Sequence, residues 1–375
     1  MWFKRMSLED WFDTYQFSAR YDVGESAIKF LKLQDLGLDL NTVDLRYGHH
    51  TGAPELRAEI AREYEGLTGN DILVTSGGAE AIFSICMALL KPGDHVIVEH
   101  PNYPSTYEVP RGLGCEVELF PLNFEERFEP DLHRLEKAIR PNTKLLIFTH
   151  PNNPTGSMIS KEQQARLIRL AESRKIYLIF DETYRHLAFG EPLSAAASLS
   201  PWAISITSMS KCYGLPGIRI GWLATKSKAI HAGVLAVREQ VTITNGALSE
   251  AIALRVLGKK EEFLNHARAH VDRNLKIATA WLDGRSELEW VKPRGGVVAC
   301  PRLRAGTIAD PETLYHSIVV DHQVFVIPGR CFDMDNRFFR LGFGATPGEL
   351  TEGLRRVGLA LDAMSTPGPA PGAGS

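Results

Sequence analysis

Three things are missing from this 375-residue sequence. It has no uncharged apolar run of the roughly 18 residues that a membrane-spanning helix needs. It has no basic stripe: Lys and Arg number 42 against 45 Asp and Glu, for a net charge of −3. Nucleic-acid binding needs a basic face, so that class is excluded. Cysteine is scarce: Cys86, Cys115, Cys212, Cys300 and Cys331 stand alone, with no CxxC spacing. A disulfide framework and a zinc site are both excluded, and a reducing compartment, the cytoplasm, is expected. The opening "MWFKRMSLEDWFDTY" carries acids within its first ten residues and no apolar core, unlike a secretory signal. The first 40 or so residues also lack a basic helix-turn-helix, which argues against a DNA-binding regulator.

What is present is ordinary globular composition, 44% hydrophobic and 23% charged, over a length that suits a large and a small domain. Short apolar runs read as strands: "DILVTS", "HVIVEH", "GCEVELFPL", "TKLLIFTH", "IYLIFDE", "AISITS" and "IRIGWLAT". Helical patterns lie between them. "GGAEAIFSICMALL" is one, with Ala79, Ile82, Phe83 and Cys86 expected on its buried face. "SKEQQARLIRLAESRK" is another, opened by a capping box of Ser160 and Gln163. Continuous apolar strands alternating with helices imply a mostly parallel sheet covered on both faces, an α/β fold. From 246 to 284 a long helical stretch without strong breakers is expected, leading into a smaller α/β domain. The expected divisions are residues 1–40 packing with the small domain, 41–245 as the large domain, 246–362 as connector and small domain, and 363–375 as a disordered Pro/Gly/Ala tail.

The polar residues gather at strand ends. "DILVTS" runs into Gly77, Gly78 and Ala79; "LLIFTH" runs into "PNNPTG"; "IYLIF" ends at Asp181; "AISITS" runs into Ser208, Ser210 and Lys211. In an open parallel sheet the ligand crevice lies beyond the carboxyl ends of the strands, so four segments aim at one place. Glycines at a helix start, two serines and Arg219 suit a phosphate. Asp181, ending an apolar strand, needs a cation, and a pyridinium nitrogen would serve. Lys211 suits a Schiff base; desolvation and a cationic neighbour would lower its pKa as that role requires. Phosphate, pyridinium and aldehyde are the three handles of pyridoxal 5'-phosphate.

At these residues the chain resembles a known family. "SMSKCYGLPGIRIGW" is similar to the SxSKxxGLxGxRxGW motif of fold-type-I, class I and II aminotransferases. "YGHHTGAPELRAEI", "HPNNPTG" and "DETY" match other family motifs in order, and the resemblance spans roughly residues 40 to 362. It implies a seven-stranded, mostly parallel sheet between helices, and an L-amino acid substrate. Lys211 would form the Schiff base and carry the α-proton. Asp181 would pair with the pyridine nitrogen, and Tyr184 and Asn153 would hydrogen-bond the ring oxygen. Tyr103 would stack on the ring. Gly78, Ala79, Ser208, Ser210 and Arg219 would hold the phosphate, with Glu80 in the same helix turn. Tyr47 would reach the phosphate of a neighbouring subunit, which implies a homodimer with shared sites. Arg340 would bind the substrate carboxylate, with Gly24 and Asn153 beside it.

A narrower likeness, in "LEDWF…YDVGESA", "RGGVVACPRL" and "IPGRCF…RFFRLGF", is to the capreomycidine-synthase-like branch. Its members remove the α-proton, expel a side-chain hydroxyl and close a guanidine ring on a hydroxylated arginine. Transamination is the default reading, with cyclisation the alternative; no short motif separates them.

Plain structural roles compete at several positions. Asp181 could cap a helix. Arg219 could sit in an ion pair, and "PNNPTG" could be only a turn. Tyr103 could be core. Glu80 could serve the helix dipole. His49 and His50 could be solvated, and His150 more readily orders its loop than does chemistry. The cysteines read as packing residues. The side-chain end of the substrate pocket would come from Gly24–Ile28, Tyr47–Thr51 and residues 242–246, where no fixed charge is apparent.

Overall fold

The computed structural model describes residues 3–365. Seven strands form the central sheet: Ile72–Thr75, His95–His100, Glu116–Pro121, Thr143–Thr149, Tyr177–Asp181, Ala203–Ser208 and Gly221–Ala224. Across the sheet they run in the order 72–75, 221–224, 203–208, 177–181, 143–149, 95–100, 116–121. Gly221–Ala224 is antiparallel to both neighbours, and the remaining pairs are parallel.

Both faces are covered, which is why the strands read as unbroken apolar runs rather than alternating ones. On one face Leu73, Val96, Leu145 and Ile179 pack with Ile82, Ile85 and Val234 of the helices Gly78–Leu89 and Lys228–Glu239. On the other, Ile97, Leu146, Phe148 and Phe180 pack with Leu135, Leu167 and Ile168 of the helices Leu132–Ala138 and Lys161–Arg174. The Ser160–Gln163 capping box opens the last of these. In Gly78–Leu89 the buried face is Ala81, Ile82, Ile85 and Cys86. It is thus displaced from the expected one: Ala79 turns to the crevice and Phe83 is only half-buried, against Phe3.

Past residue 245 the expected single helical stretch is two helices, Ala247–Leu257 and Lys260–Asp283. The break falls at Gly258 and Lys259, where glycine weakens the helix. A small antiparallel sheet follows, in which Phe339–Gly342 lies between Val298–Ala299 and Ile327–Pro328. The N-terminal segment is stitched to it. Tyr21–Asp22 pairs in parallel with Val324–Phe325, and Trp11, on the helix Ser7–Tyr15, donates to Val326 O at 2.8 Å. The final helix, Pro347–Met364, extends past the expected 362 boundary; residues 366–375 of the expected tail lie outside the described residues. Among the described residues, no helix is long and apolar enough to cross a membrane.

Candidate active site

Strand register assembles the crevice. Thr149 sits beside Asp181, Asp181 beside Ile206, and Ser208 beside Gly221. Beyond these ends lies a cavity of about 280 Å³ whose lining includes Gly78, Ala79, Asp181, Ser208, Ser210 and Lys211. Tyr103, Asn153, Tyr184, Arg219 and Arg340 line it too.

One end is built for an anion. Gly77 takes φ +83°, and a Cβ there would lie 2.5 Å from Arg219 Nη2. The glycine lets the guanidinium lie against the start of the helix Gly78–Leu89, where backbone N–H groups carry partial positive charge. Gly221 closes the same corner from the next strand: its Cβ would meet Gly77 C at 2.6 Å. Arg219 donates to Pro216 O at 2.9 Å and pairs with no carboxylate among the described residues. The ion-pair alternative for it therefore falls away.

In the middle stand Asp181 and Lys211. Asp181 Oδ1 accepts from Thr183 N at 2.9 Å, an Asx turn, and the chain continues into the short 3₁₀ turn Arg185–Leu187 rather than an α-helix. Burial pushes the Asp181 carboxyl up; the hydrogen bonds from Thr183, and to a lesser extent the charge of Lys211, only partly oppose this. Asp181 makes no ion pair among the described residues. Lys211 Nζ lies 2.9 Å from Glu25 Oε1 and 3.0 Å from Ser26 Oγ. The expectation of a lowered lysine pKa is therefore corrected. Burial alone would lower it, but the close partner is an anion, and Glu25 holds the amine above its ordinary value. In return, although burial favours the neutral acid, Lys211 and Arg340 hold the Glu25 carboxyl down at about 2.

The far end is cross-tied. Arg340 is buried and donates through Nε and Nη2 to Gly24 O, at 3.0 and 2.7 Å, and through Nη1 to Asn153 Oδ1 at 3.0 Å. Tyr184 OH donates to Ser26 O at 2.9 Å, and Tyr103 OH donates to Glu9 Oε1 at 3.0 Å. Tyr103 faces the cavity rather than sitting wholly in core.

Some expected residues are elsewhere. Glu80 turns back from the cavity: its carboxylate takes Ser76 N, Thr242 Oγ1 at 2.6 Å and Arg238 Nε at 3.4 Å, so it serves the helix start. Tyr47 is 83% exposed and outside the cavity. Neither 47–51 nor 242–246 contributes to the lining. His50 pairs with Glu239 at 2.8 Å, and His150 is buried 3.1 Å from Glu99. Cys212 is buried, its thiol pushed up to about 12 by burial, as befits a packing residue.

The sequence reading missed the part of the wall made by the helix Ser7–Tyr15. Leu8, Glu9 and Phe12 face the cavity from one side of the helix Ser7–Tyr15, and Glu25 and Ser26 follow. The spacing 8, 9, 12 is a helical face and could have been read as one. The expectation that Gly24–Ile28 brings no fixed charge is corrected by Glu25.

The residues present fit pyridoxal 5'-phosphate. A buried carboxylate without an ion-pair partner suits a pyridinium, an unpaired arginine at a helix start suits a phosphate, and a lysine amine faces the same space. The family model "Aminotransferase class I and II" matches residues 20–357. Capreomycidine synthase of Streptomyces vinaceus is 28% identical over 365 residues, covering 94% of this chain and 93% of its own. A PLP-dependent aminotransferase structure from Streptococcus suis superposes with a TM-score of 0.92 at 28% identity, covering 98% of this chain and all of that one. The PLP-dependent cyclase OrfR superposes with a TM-score of 0.88 at 26% identity, covering 97% and 98%. Site chemistry, fold and family model agree: the chain belongs to the class I and II aminotransferases, enzymes that work with pyridoxal phosphate.

Proposed function

We propose that this enzyme transfers the amino group of an L-amino acid, as a homodimer in the cytoplasm. One observation carries the reading: Lys211, the carboxylate of Asp181 without an ion-pair partner, and the unpaired Arg219 share a single crevice. When bound, pyridoxal phosphate supplies a sink for the electron pair left on the substrate's Cα. The protein does the rest. Arg219, Ser208, Ser210 and the helix start at Gly78–Ala79 would hold the phosphate. Asp181 would keep the ring nitrogen protonated, Tyr103 would cover the ring, and Asn153 and Tyr184 would orient its oxygen. Arg340 would fix the substrate carboxylate and so aim the Cα–H bond at Lys211, which takes the proton. We read residues 41–245 as the cofactor-holding domain and 246–362 as the smaller one. Tyr47, with exposed Leu45, Val241, Ile243 and Leu248, supports a face covered by a second subunit.

A second reading, cyclisation of a hydroxylated arginine-like substrate, is favoured by Glu9. Its carboxylate faces the cavity beside Tyr103 and makes no ion pair among the described residues, so it suits a cationic side chain. The likeness to capreomycidine synthase and to the cyclase OrfR supports the same reading. A panel of amino acids, hydroxyarginines included, read by mass spectrometry, decides. Transamination yields a keto acid and a cofactor carrying the amino group. Cyclisation yields a product lighter by one water, with every nitrogen retained. Turnover of no amino acid in the panel would sink both.

A further inference from the structure

Among the described residues, Glu25 is the one side chain that touches the reacting amine with an opposite charge. Its place is fixed on several sides. Asp22 Oδ1 accepts from Gly24 N at 2.9 Å and Glu25 N at 2.8 Å; Ser26 N donates to Glu25 Oε1 at 2.8 Å; Arg340 grips Gly24 O. The same segment returns to the lysine backbone, with Ile28 N donating to Lys211 O. Glu25 and Lys211 are both largely shielded, their side chains 19% and 25% exposed, so water screens the pair poorly.

We propose that Glu25 is a further catalytic residue, a second station that receives Lys211 as an ammonium once the amine has taken the α-proton. This rests on the reading of Lys211 as the working amine. When Lys211 takes the α-proton, the Cα–H bond breaks, its electron pair stays with the carbon side, and an N–H bond forms on Nζ. The new ammonium then meets Glu25 Oε1 and Ser26 Oγ, already at hydrogen-bond distance. Giving the proton back means leaving that pair. Glu25 thereby slows proton return and lengthens the interval in which a substrate leaving group can depart. It ties the choice between transamination and elimination to a named contact. The other titratable groups around the amine are Asp181, Tyr184, Tyr103, Glu9 and Arg340, and none of them makes an ion pair or hydrogen bond to Nζ.

The test reads Lys211 itself, in full-length protein freed of cofactor. Wild type, Glu25→Gln and Glu25→Asp are labelled with an amine-specific reagent across pH, and peptide mass spectrometry follows Lys211 beside the exposed Lys144. Wild-type Lys211 is expected to react with a midpoint above that of Lys144. Glu25→Gln is expected to label at least about tenfold faster at a fixed pH below both midpoints, since a close opposite charge shifts a pKa by one unit or more. Glu25→Asp should fall between. A wild-type midpoint at or below that of Lys144 overturns the proposal without any variant, so a misfolded Glu25→Gln does not shield it. Matching profiles in wild type and Glu25→Gln overturn it equally. Borohydride trapping of pyridoxal phosphate, mapped by peptide, reports separately on the underlying reading. Trapping at another lysine would refute the role of Lys211 while leaving the titration result intact.

Discussion

Arg340 Nη1 donates to Asn153 Oδ1 at 3.0 Å, joining the strand Phe339–Gly342 to the loop that ends Thr143–Thr149, 187 residues earlier. The bond holds the side chain expected to bind the substrate carboxylate against one expected to orient the cofactor. Arg340→Ala removes the charge and both bonds to Gly24 O. Bonds to a charged group contribute about 1.5–3 kcal/mol each, so steady-state kinetics should show kcat/KM falling at least about 100-fold. Arg340→Lys keeps the charge but loses the fork, and should recover only part.

Asp181 should cost the cofactor-free protein stability and repay it when loaded. Its folded pKa is raised, so its contribution is fully present below the unfolded value of about 3.9 and is lost as pH rises through the folded value. Cofactor-free Asp181→Asn should therefore melt a few degrees higher than wild type at neutral pH. The gap should close as pH falls toward 4. With pyridoxal phosphate added the order should reverse, because the amide cannot neutralise a pyridinium. Thermal melts of both forms across pH check it; equal melting of the cofactor-free forms at neutral pH would refute it.

Behind the Asp181–Tyr184 turn, the buried Glu63 accepts from Arg185 Nη2 at 2.6 Å and pairs with His186 Nε2 at 2.8 Å, with Lys260 Nζ at 3.6 Å. Glu63→Ala strands these cations and should destabilise the protein by about 3–5 kcal/mol in urea unfolding; Glu63→Gln should cost less. Burial opposes its charge, but His186 and Arg185 hold its carboxyl down at about 2. Wild type should thus lose this stabilisation as pH falls from about 4.3 toward 2, and Glu63→Gln should not show that loss.

Gly221→Ala drives a Cβ to 2.6 Å from Gly77 C and 2.8 Å from both Gly78 N and Thr207 O. All three are backbone atoms, so no side-chain rotation relieves the clash. Cofactor retention after gel filtration should be lost or the protein should fail to accumulate. Gly217→Ala meets nothing within 4 Å and should stay within about 0.5 kcal/mol of wild type.

Much of the site was legible before the fold was known. Gly78, Ala79, Asp181, Ser208 and Lys211 each follow an apolar run closely, and a strand's end is a local property. Glu80 was misplaced for a tertiary reason. A carboxylate in a first helical turn could face the crevice or turn back on its own helix, and Thr242 and Arg238, distant in sequence, settle the latter. Glu9 went unread as a pocket residue because nothing local says that the helix Ser7–Tyr15 returns to wall a crevice built from residues 72 to 224; Gly24–Ile28 was legible as pocket wall, but not that Glu25 would turn its charge onto Lys211.

The sequence alone determined which chemistry is available: an amine, a buried acid, two hydroxyls and an arginine at the ends of strands whose apolar runs require a covered sheet. The tertiary structure decided which charges meet. Whether Lys211 faces a cation or an anion depends on Glu25, 186 residues away, on a segment docked through Arg340 and Gly24, because Coulomb interactions follow distance in space and not along the chain.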